Sequence, residues 1–196
     1  GIVAASNSSH PGAMASMALK AARKGFIALA FTHADALVLS HNGTRPYFGT
    51  NPICMAVPRE EKEPYCLDMA SSIVSWNKVL LKKNSQSELI EGIAADSDGN
   101  LTTNSNEATC LVPAGSYKGF GIASMVDILC GIYTGMQFGR EIPSMYKSPI
   151  DKPRHLGQFY MVIRVDGVVN KSDFLSTMQI MSDEVRSEPA VKGEEV

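Results

Sequence analysis

His10, Lys118 and Asp68 are residues whose type and setting can do chemistry. His10 lies between Ser9 and Pro11, just after the apolar opening GIVAA and at the mouth of a predicted helix. An imidazole gains and loses a proton near neutral pH, so it can serve as acid or base. Backbone N–H groups at a helix start favour its neutral form. The same position suits an ordinary capping or surface histidine, and the local sequence leaves both open. Lys118 stands in PAGSYKGFGIASMVDILCG, where Gly119 and Gly121 allow close backbone approach. A helix start beside a mobile ammonium group suits a phosphate or carboxylate. A solvated lysine ahead of a core helix is the alternative. Asp68 sits inside the apolar run YCLDMASS. An unpaired buried carboxylate is costly, so it must hold donors. These are ligand hydroxyls or local backbone N–H groups, and Ser71 and Ser72 share the local capping role.

Several other chemistries are excluded or ranked low. No GxGxxG or GxxxxGK[ST] loop joins a strand to a helix, so a nucleotide is not held in either standard way. His33, His41 and His155 lack convergent spacing with cysteine or carboxylate, and HExxH and GxSxG are both absent. No metal site is expected. The 18 Lys+Arg against 20 Asp+Glu give a net charge of -2, which offers no electrostatic reason for a nucleic-acid or membrane partner. Cys54, Cys66, Cys110 and Cys130 form no CxxC pair and sit among apolar neighbours. They read as buried thiols of a reducing, cytoplasmic compartment.

The elements that must position these residues follow from periodicity. Residues 1–5 and 26–31 read as strands, joined by a helix that Pro11 starts and Gly25 ends. That unit has the size of a parallel crossover, and its continuous apolar runs suggest strands covered on both faces. Residues 53–57 and 65–69 read as a hairpin around a charged loop. Ser71 or Ser72 is expected to cap a helix over 73–83. A short strand is expected within 92–96, and a long helix over 119–133 buries Ile122, Val126, Leu129 and Tyr133. Residues 134–157 read as an excursion, 159–165 as a strand, and 172–186 as a helix with Phe174, Met178 and Met181 inward. The fold class expected is α/β, a mixed β-sheet with flanking helices.

Taken together, SNSSHPGAMA, FGTNPICMAVP, LDMASSIVSWNKV, IEGIAADSDGNLTTN and GSYKGFGIASMVDILCG resemble, in that order, the malate/L-lactate dehydrogenase family that lacks a Rossmann domain. That family also includes ureidoglycolate, sulfolactate and cyclic-imine carboxylate oxidoreductases. The resemblance runs over nearly the whole chain. It implies a non-Rossmann NAD-binding fold, NAD or NADP as cofactor, and hydride transfer to or from a small 2-hydroxy or 2-oxo acid such as malate or L-lactate. Ureidoglycolate dehydrogenase and cyclic-imine carboxylate reductase are the nearest alternatives. The resemblance implies that His10 is the catalytic acid/base and that Asp68, Met69, Ala70 and Lys118 contact the cofactor. It also implies a GTNP scaffold turn at residues 49–52 and a homodimer.

The chain departs from the family pattern at Phe31-Thr32-His33-Ala34. Ala34 occupies the position of a cofactor-contacting residue that commonly carries a hydroxyl, which leaves only a backbone contact. Trp76-Asn77 stands before Lys78 where glycine is frequent. A diverged, non-catalytic binding protein on the same fold therefore remains an alternative. The expected organisation is one cofactor-binding region over 1–196, cut from a larger enzyme whose N-terminal helical part and C-terminal tail lie outside it.

Overall fold

The computed structural model describes residues 1–149 and 151–194. Its strands are β1 (Ile2–Ser8), β2 (Phe26–Thr32), β3 (Val38–Leu39), β4 (Pro46–Phe48), β5 (Ile53–Val57), β6 (Tyr65–Met69), β7 (Ala94–Ala95), β8 (Cys110–Leu111) and β9 (Leu156–Arg164). Its α-helices are α1 (Ala15–Ala22), α2 (Trp76–Asn84), α3 (Tyr117–Asp127) and α4 (Lys171–Ser187). The larger sheet has the order β1-β9-β2-β5-β6, and every neighbouring pair in it is antiparallel. The smaller sheet, β4-β3-β8-β7, contains one parallel pair, β3 with β8. The expected mixed α/β architecture holds.

The expected parallel crossover is present in direction but not in adjacency. β1 and β2 both run antiparallel to β9, which lies between them. Local pattern cannot foresee an insertion made by a strand from the far end of the chain. β1 also differs from expectation in burial. It is an edge strand, and Ile2 and Val3 are more than half exposed.

Strand alternation sorts the larger sheet into two faces. On one face Ala28, Ala30, Cys54 and Ala56 pack against Met14, Ala18 and Ala22 of the α1 region. Alanine on both sides lets the helix lie close to the sheet. The other face presents Phe31 and Phe159 to Val126 and Cys130. The expected hairpin forms between β5 and β6, from Ile53↔Met69 to Val57↔Tyr65.

The helix over 119–133 differs from its expected form. It starts at Tyr117, remains α-helical to Asp127 and widens into a π segment over Ile128–Ile132. Its buried line is Gly119, Ala123, Val126, Asp127, Cys130 and Gly131, whereas Tyr133 is 66% exposed. Small residues face inward because the backbones nearly touch: a Cβ on Gly157 of β9 would lie 1.7 Å from the Cys130 carbonyl oxygen. The expected line is partly kept: Val126 is fully buried and Ile122 and Leu129 are half-buried, and Tyr133, beyond the widened turn, is the member that leaves the core.

The helix expected over 73–83 starts at Trp76, after Ser75 in extended conformation. Ser71 and Ser72 do not cap it: their hydroxyls donate to the Thr50 and Val74 carbonyls. α2 closes the second core with Val38, Val79, Ile93 and Leu111. In α4, Phe174 and Met178 are half-buried, but Met181 is exposed. Cys66 is exposed too, contrary to the expectation of four buried thiols. Among the described residues no helix is long and apolar enough to cross a membrane.

Candidate functional site

His10 lies in the turn between β1 and α1, exposed, and its Nδ1 accepts the Gly12 N–H at 3.0 Å. That bond places the proton of the neutral ring on Nε2. Gly12 has φ +80, so the turn uses a conformation that favours glycine. The start of α1, a few residues on, is fixed by Asp68: its Oδ2 accepts the Ala15 N–H at 2.8 Å. Asp68 thus caps α1 from the end of β6 and ties the His10 turn to the hairpin.

Two cavities meet at His10. The smaller, about 150 Å³, is lined by His10, Ala34, Thr50, Ala70, Trp76 and Tyr146, with Asp35 and Arg154 in its wall. The larger, about 410 Å³, includes Ser8, Ser9, Ser144 and Lys152. His10, Met145 and Arg154 belong to both. Tyr146 donates its hydroxyl to Asn77 Oδ1 at 3.3 Å, and burial pushes its phenol above the ordinary value. Arg154 pairs with Asp35 at 2.5 Å and donates from Nε to the Pro143 carbonyl at 3.1 Å. Asp35 Oδ2 accepts the Met145 N–H. These bonds tie Pro143, Met145 and Arg154 together beside His10.

A buried polar network holds the Ala34 side of the cavity. Asn51 Oδ1 accepts the Ala34 N–H at 3.0 Å, and its Nδ2 donates to the Ala123 carbonyl and to Asp127 Oδ1. His33 Nε2 accepts the Gly157 N–H at 2.8 Å, so its proton sits on Nδ1 and points to Asp127 Oδ1 at 3.3 Å. Asp127 Oδ2 accepts the Gly139 N–H. His33, Asn51 and Asp127 are all buried. The network joins the end of β2, the turn before β5, α3 and β9 beneath Ala34.

Lys118 is exposed on the first turn of α3 and lines neither cavity. Backbone contacts nevertheless connect its turn to the site. The Ser71 carbonyl, next to Ala70, accepts the Ala114 N–H at 2.9 Å. A Cβ on Gly119 would lie 2.3 Å from that same carbonyl oxygen, so glycine is required there. Ser116, at φ 60, makes the strained turn into α3.

Residues 1–196 match the malate/L-lactate dehydrogenase family. The chain belongs to that family. It is 36% identical to the NAD(+) ureidoglycolate dehydrogenase of Escherichia coli (strain K12), over 83% of this chain and 46% of that protein. Its fold superposes on malate dehydrogenase from Pyrococcus horikoshii OT3 with a TM-score of 0.85 at 31% identity, covering 100% of this chain and 55% of that one. Sulfolactate dehydrogenase from Methanocaldococcus jannaschii gives a TM-score of 0.90 at 26% identity, covering 100% of this chain and 56% of that one. The chain spans about half the length of the relatives it matches.

Of the residues that the family resemblance singled out, His10, Ala34 and Ala70 share the smaller cavity. Asp68 and Met69 lead into it along β6, and Lys118 stands outside. Sequence reasoning did not find Asp35, Tyr146 or Arg154. The last two lie in the 134–157 stretch, whose scattered proline, glycine and charge read as an excursion. Nothing periodic there signals that it returns over His10.

Proposed function

We propose that this chain is the cofactor-binding and proton-transfer half of an NAD- or NADP-dependent dehydrogenase of small 2-hydroxy and 2-oxo acids. The observation that carries the proposal is the cavity in which His10 meets Ala34, Thr50 and Ala70. Those three side chains are small and leave about 150 Å³, room for a flat ring beside the imidazole but not for a whole dinucleotide. The remainder would run past Asp68 and Met69 toward Lys118, whose ammonium would meet the phosphates.

When bound, the nicotinamide supplies hydride exchange at C4 with C2 of the substrate. This chain's own residues handle the proton. In the reducing direction the doubly protonated ring of His10, its Nδ1 released from the Gly12 N–H, donates Nε2–H to the 2-oxo oxygen as that oxygen becomes a hydroxyl, and returns to the neutral ring. In the oxidising direction Nε2 takes the hydroxyl proton, which requires Nδ1 to carry a proton and release the Gly12 N–H. Ala34 offers only its backbone and a methyl group. Its amide is turned toward Asn51, so what it contributes is space and shape. A homodimer in a reducing, cytoplasmic compartment belongs to the same proposal, and the free state of Cys54, Cys66, Cys110 and Cys130 suits it.

The test uses the native protein with NAD and NADP, against malate, lactate, ureidoglycolate and a cyclic-imine carboxylate, followed at 340 nm. Turnover with at least one substrate is expected. His10→Ala should lower kcat by about 100-fold or more while NADH binding, read by fluorescence, changes less than about threefold. Absence of turnover with every substrate, together with no NADH fluorescence enhancement, overturns the enzyme in favour of a non-catalytic member of the family.

A further inference from the structure

The strand that carries the chain to His10 is irregular. Between Ala5 and Ser8 of β1, Ser6 and Asn7 lie opposite the single Gly157 of β9, which makes a β-bulge just before His10. Asn7 takes φ 51, a left-handed conformation that is unfavourable outside glycine. β1 is an edge strand and ends at Ser8, so no sheet neighbour holds its outer side. The side chain of Gln158, on β9, spans the bulge. Its Nε2 donates to Ser8 Oγ at 2.6 Å and to the Ser9 carbonyl at 3.1 Å. Its Oε1 accepts the Tyr160 hydroxyl, and burial raises that phenol above its ordinary value, which keeps it a donor. The Ser9 carbonyl can only accept, so the amide has one orientation. Gln158 is 7% exposed. A buried amide is costly unless its groups are paired, and here both N–H groups and the oxygen are engaged.

Resting on the function proposed above, we propose that Gln158 is a positioning residue that aims His10 at the reacting oxygen. Bulges re-aim side chains beside active sites. This one turns the chain so that Asn7, Ser8, Ser9 and His10 together line the larger cavity. Gln158 itself lines neither cavity and acts only through the backbone and hydroxyl that it holds. The imidazole has a hold of its own, the bond from the Gly12 N–H to Nδ1. Protonation of Nδ1 breaks that bond during each turnover. The Gln158 clamp lies outside the ring and persists in both protonation states. It therefore sets where Nε2 stands at the moment when Gly12 cannot. A misplacement of about 1 Å in such a group costs on the order of 100-fold in rate.

Gln158→Met keeps the length of the side chain and removes the amide. In the native protein kcat should fall by about ten- to a hundred-fold, while NADH binding changes less than about threefold. A residue that only stabilised the fold would lower the urea midpoint and leave kcat of the folded enzyme as it was. A kcat within about threefold of the wild type therefore overturns the clamp while leaving the dehydrogenase in place. A crystal structure of the variant reads the same claim without turnover. Ser9 and His10 should shift by about 1 Å or more relative to Ala34 and Asp68. Such a shift supports the clamp even if the wild type turns over no substrate, and His10 in its original place overturns it. Should Gln158→Met not fold, Gln158→Glu decides. It keeps the shape and the acceptor for Tyr160 but has no N–H for the Ser9 carbonyl. It should show the same loss of kcat, and a kcat within about threefold of the wild type overturns the clamp.

Discussion

At the scale of single residues, Asp127 reads in the sequence only as the charge that interrupts an apolar helix, and His33 only as an odd neighbour of Ala34. The two meet across 94 positions in a buried network that no local pattern reveals. For His10 the sequence made legible the setting, between a strand and a helix start, which the structure keeps; its role was left open between proton transfer and an ordinary surface histidine. Asp68 was expected to hold donors because its apolar run suggested burial; it is exposed on β6, a strand at the sheet's edge, and nevertheless accepts the Ala15 N–H. Arg154 was not legible, since its meaning comes from Asp35, 119 positions away. The His33 network supports Ala34 through Asn51, so damage there should appear first in stability. Replacing His33 with Leu leaves Asp127 Oδ1 without its His33 donor and the Gly157 N–H without an acceptor. The expected loss is on the order of 3 kcal/mol, from one to three for each buried group left without its partner. Urea denaturation checks it by a lowered midpoint at unchanged slope. A loss under about 0.5 kcal/mol, the size of an ordinary surface substitution, would show that the network does not hold this face together.

At the scale of elements, type was more legible than neighbour. The first strand, helix and second strand, the charged-loop hairpin and the long helix were all readable, because each repeats its pattern over several residues. β3, β4 and β8 span two or three residues, too few for any alternation to register. β9 was readable as a strand, but its insertion between β1 and β2 was not, since pairing is settled by the whole sheet. The contact of β9 with the π segment shows what decides that arrangement. Gly157 faces the Cys130 carbonyl, and Thr134 Oγ1 would lie 2.4 Å from an added Cβ. The chain thus needs glycine on β9 for the widened helix to pack onto the sheet. Gly157→Ala should be among the most damaging single-methyl additions available. Overpacking against backbone cannot be relieved by a rotamer change, so a cost of about 3 kcal/mol or more is expected. Thermal unfolding of the native protein reads it as a lower Tm. Gly167→Ala, where an added Cβ meets nothing within 4 Å, is the control and should leave Tm nearly unchanged.

At the scale of the whole molecule, the thiols report how the two faces of the large sheet are sealed. Cys54 lies in the α1 core and Cys130 in the core beneath the π segment. Burial pushes both thiols up to about 12, helped by Cys66 in the first case and by Asp127 in the second. Cys110, in the smaller sheet, is raised as well, chiefly by burial. Only the thiolate reacts with alkylating agents, so these three should be inert while the fold is intact, whereas Cys66 is exposed on β6. Iodoacetamide at pH 8 followed by mass spectrometry should show one adduct, at Cys66, and four adducts in urea. Native labelling of Cys54 would mean that the β5–β6 hairpin opens away from α1. The same raised values fix a sign for alkaline stability. A thiol held protonated by the fold keeps its stabilising contribution in full below its unfolded value of 9.0 and loses it as pH climbs toward about 12. Between those limits stability should fall by up to about 1.4 kcal/mol per pH unit for each such thiol. Cys130→Ala should flatten that decline in urea midpoints measured from pH 8.5 to 11, despite its own packing cost. An unaltered slope would show that the thiol ionises freely in the folded protein and that the seal between α3 and the sheet is open to solvent.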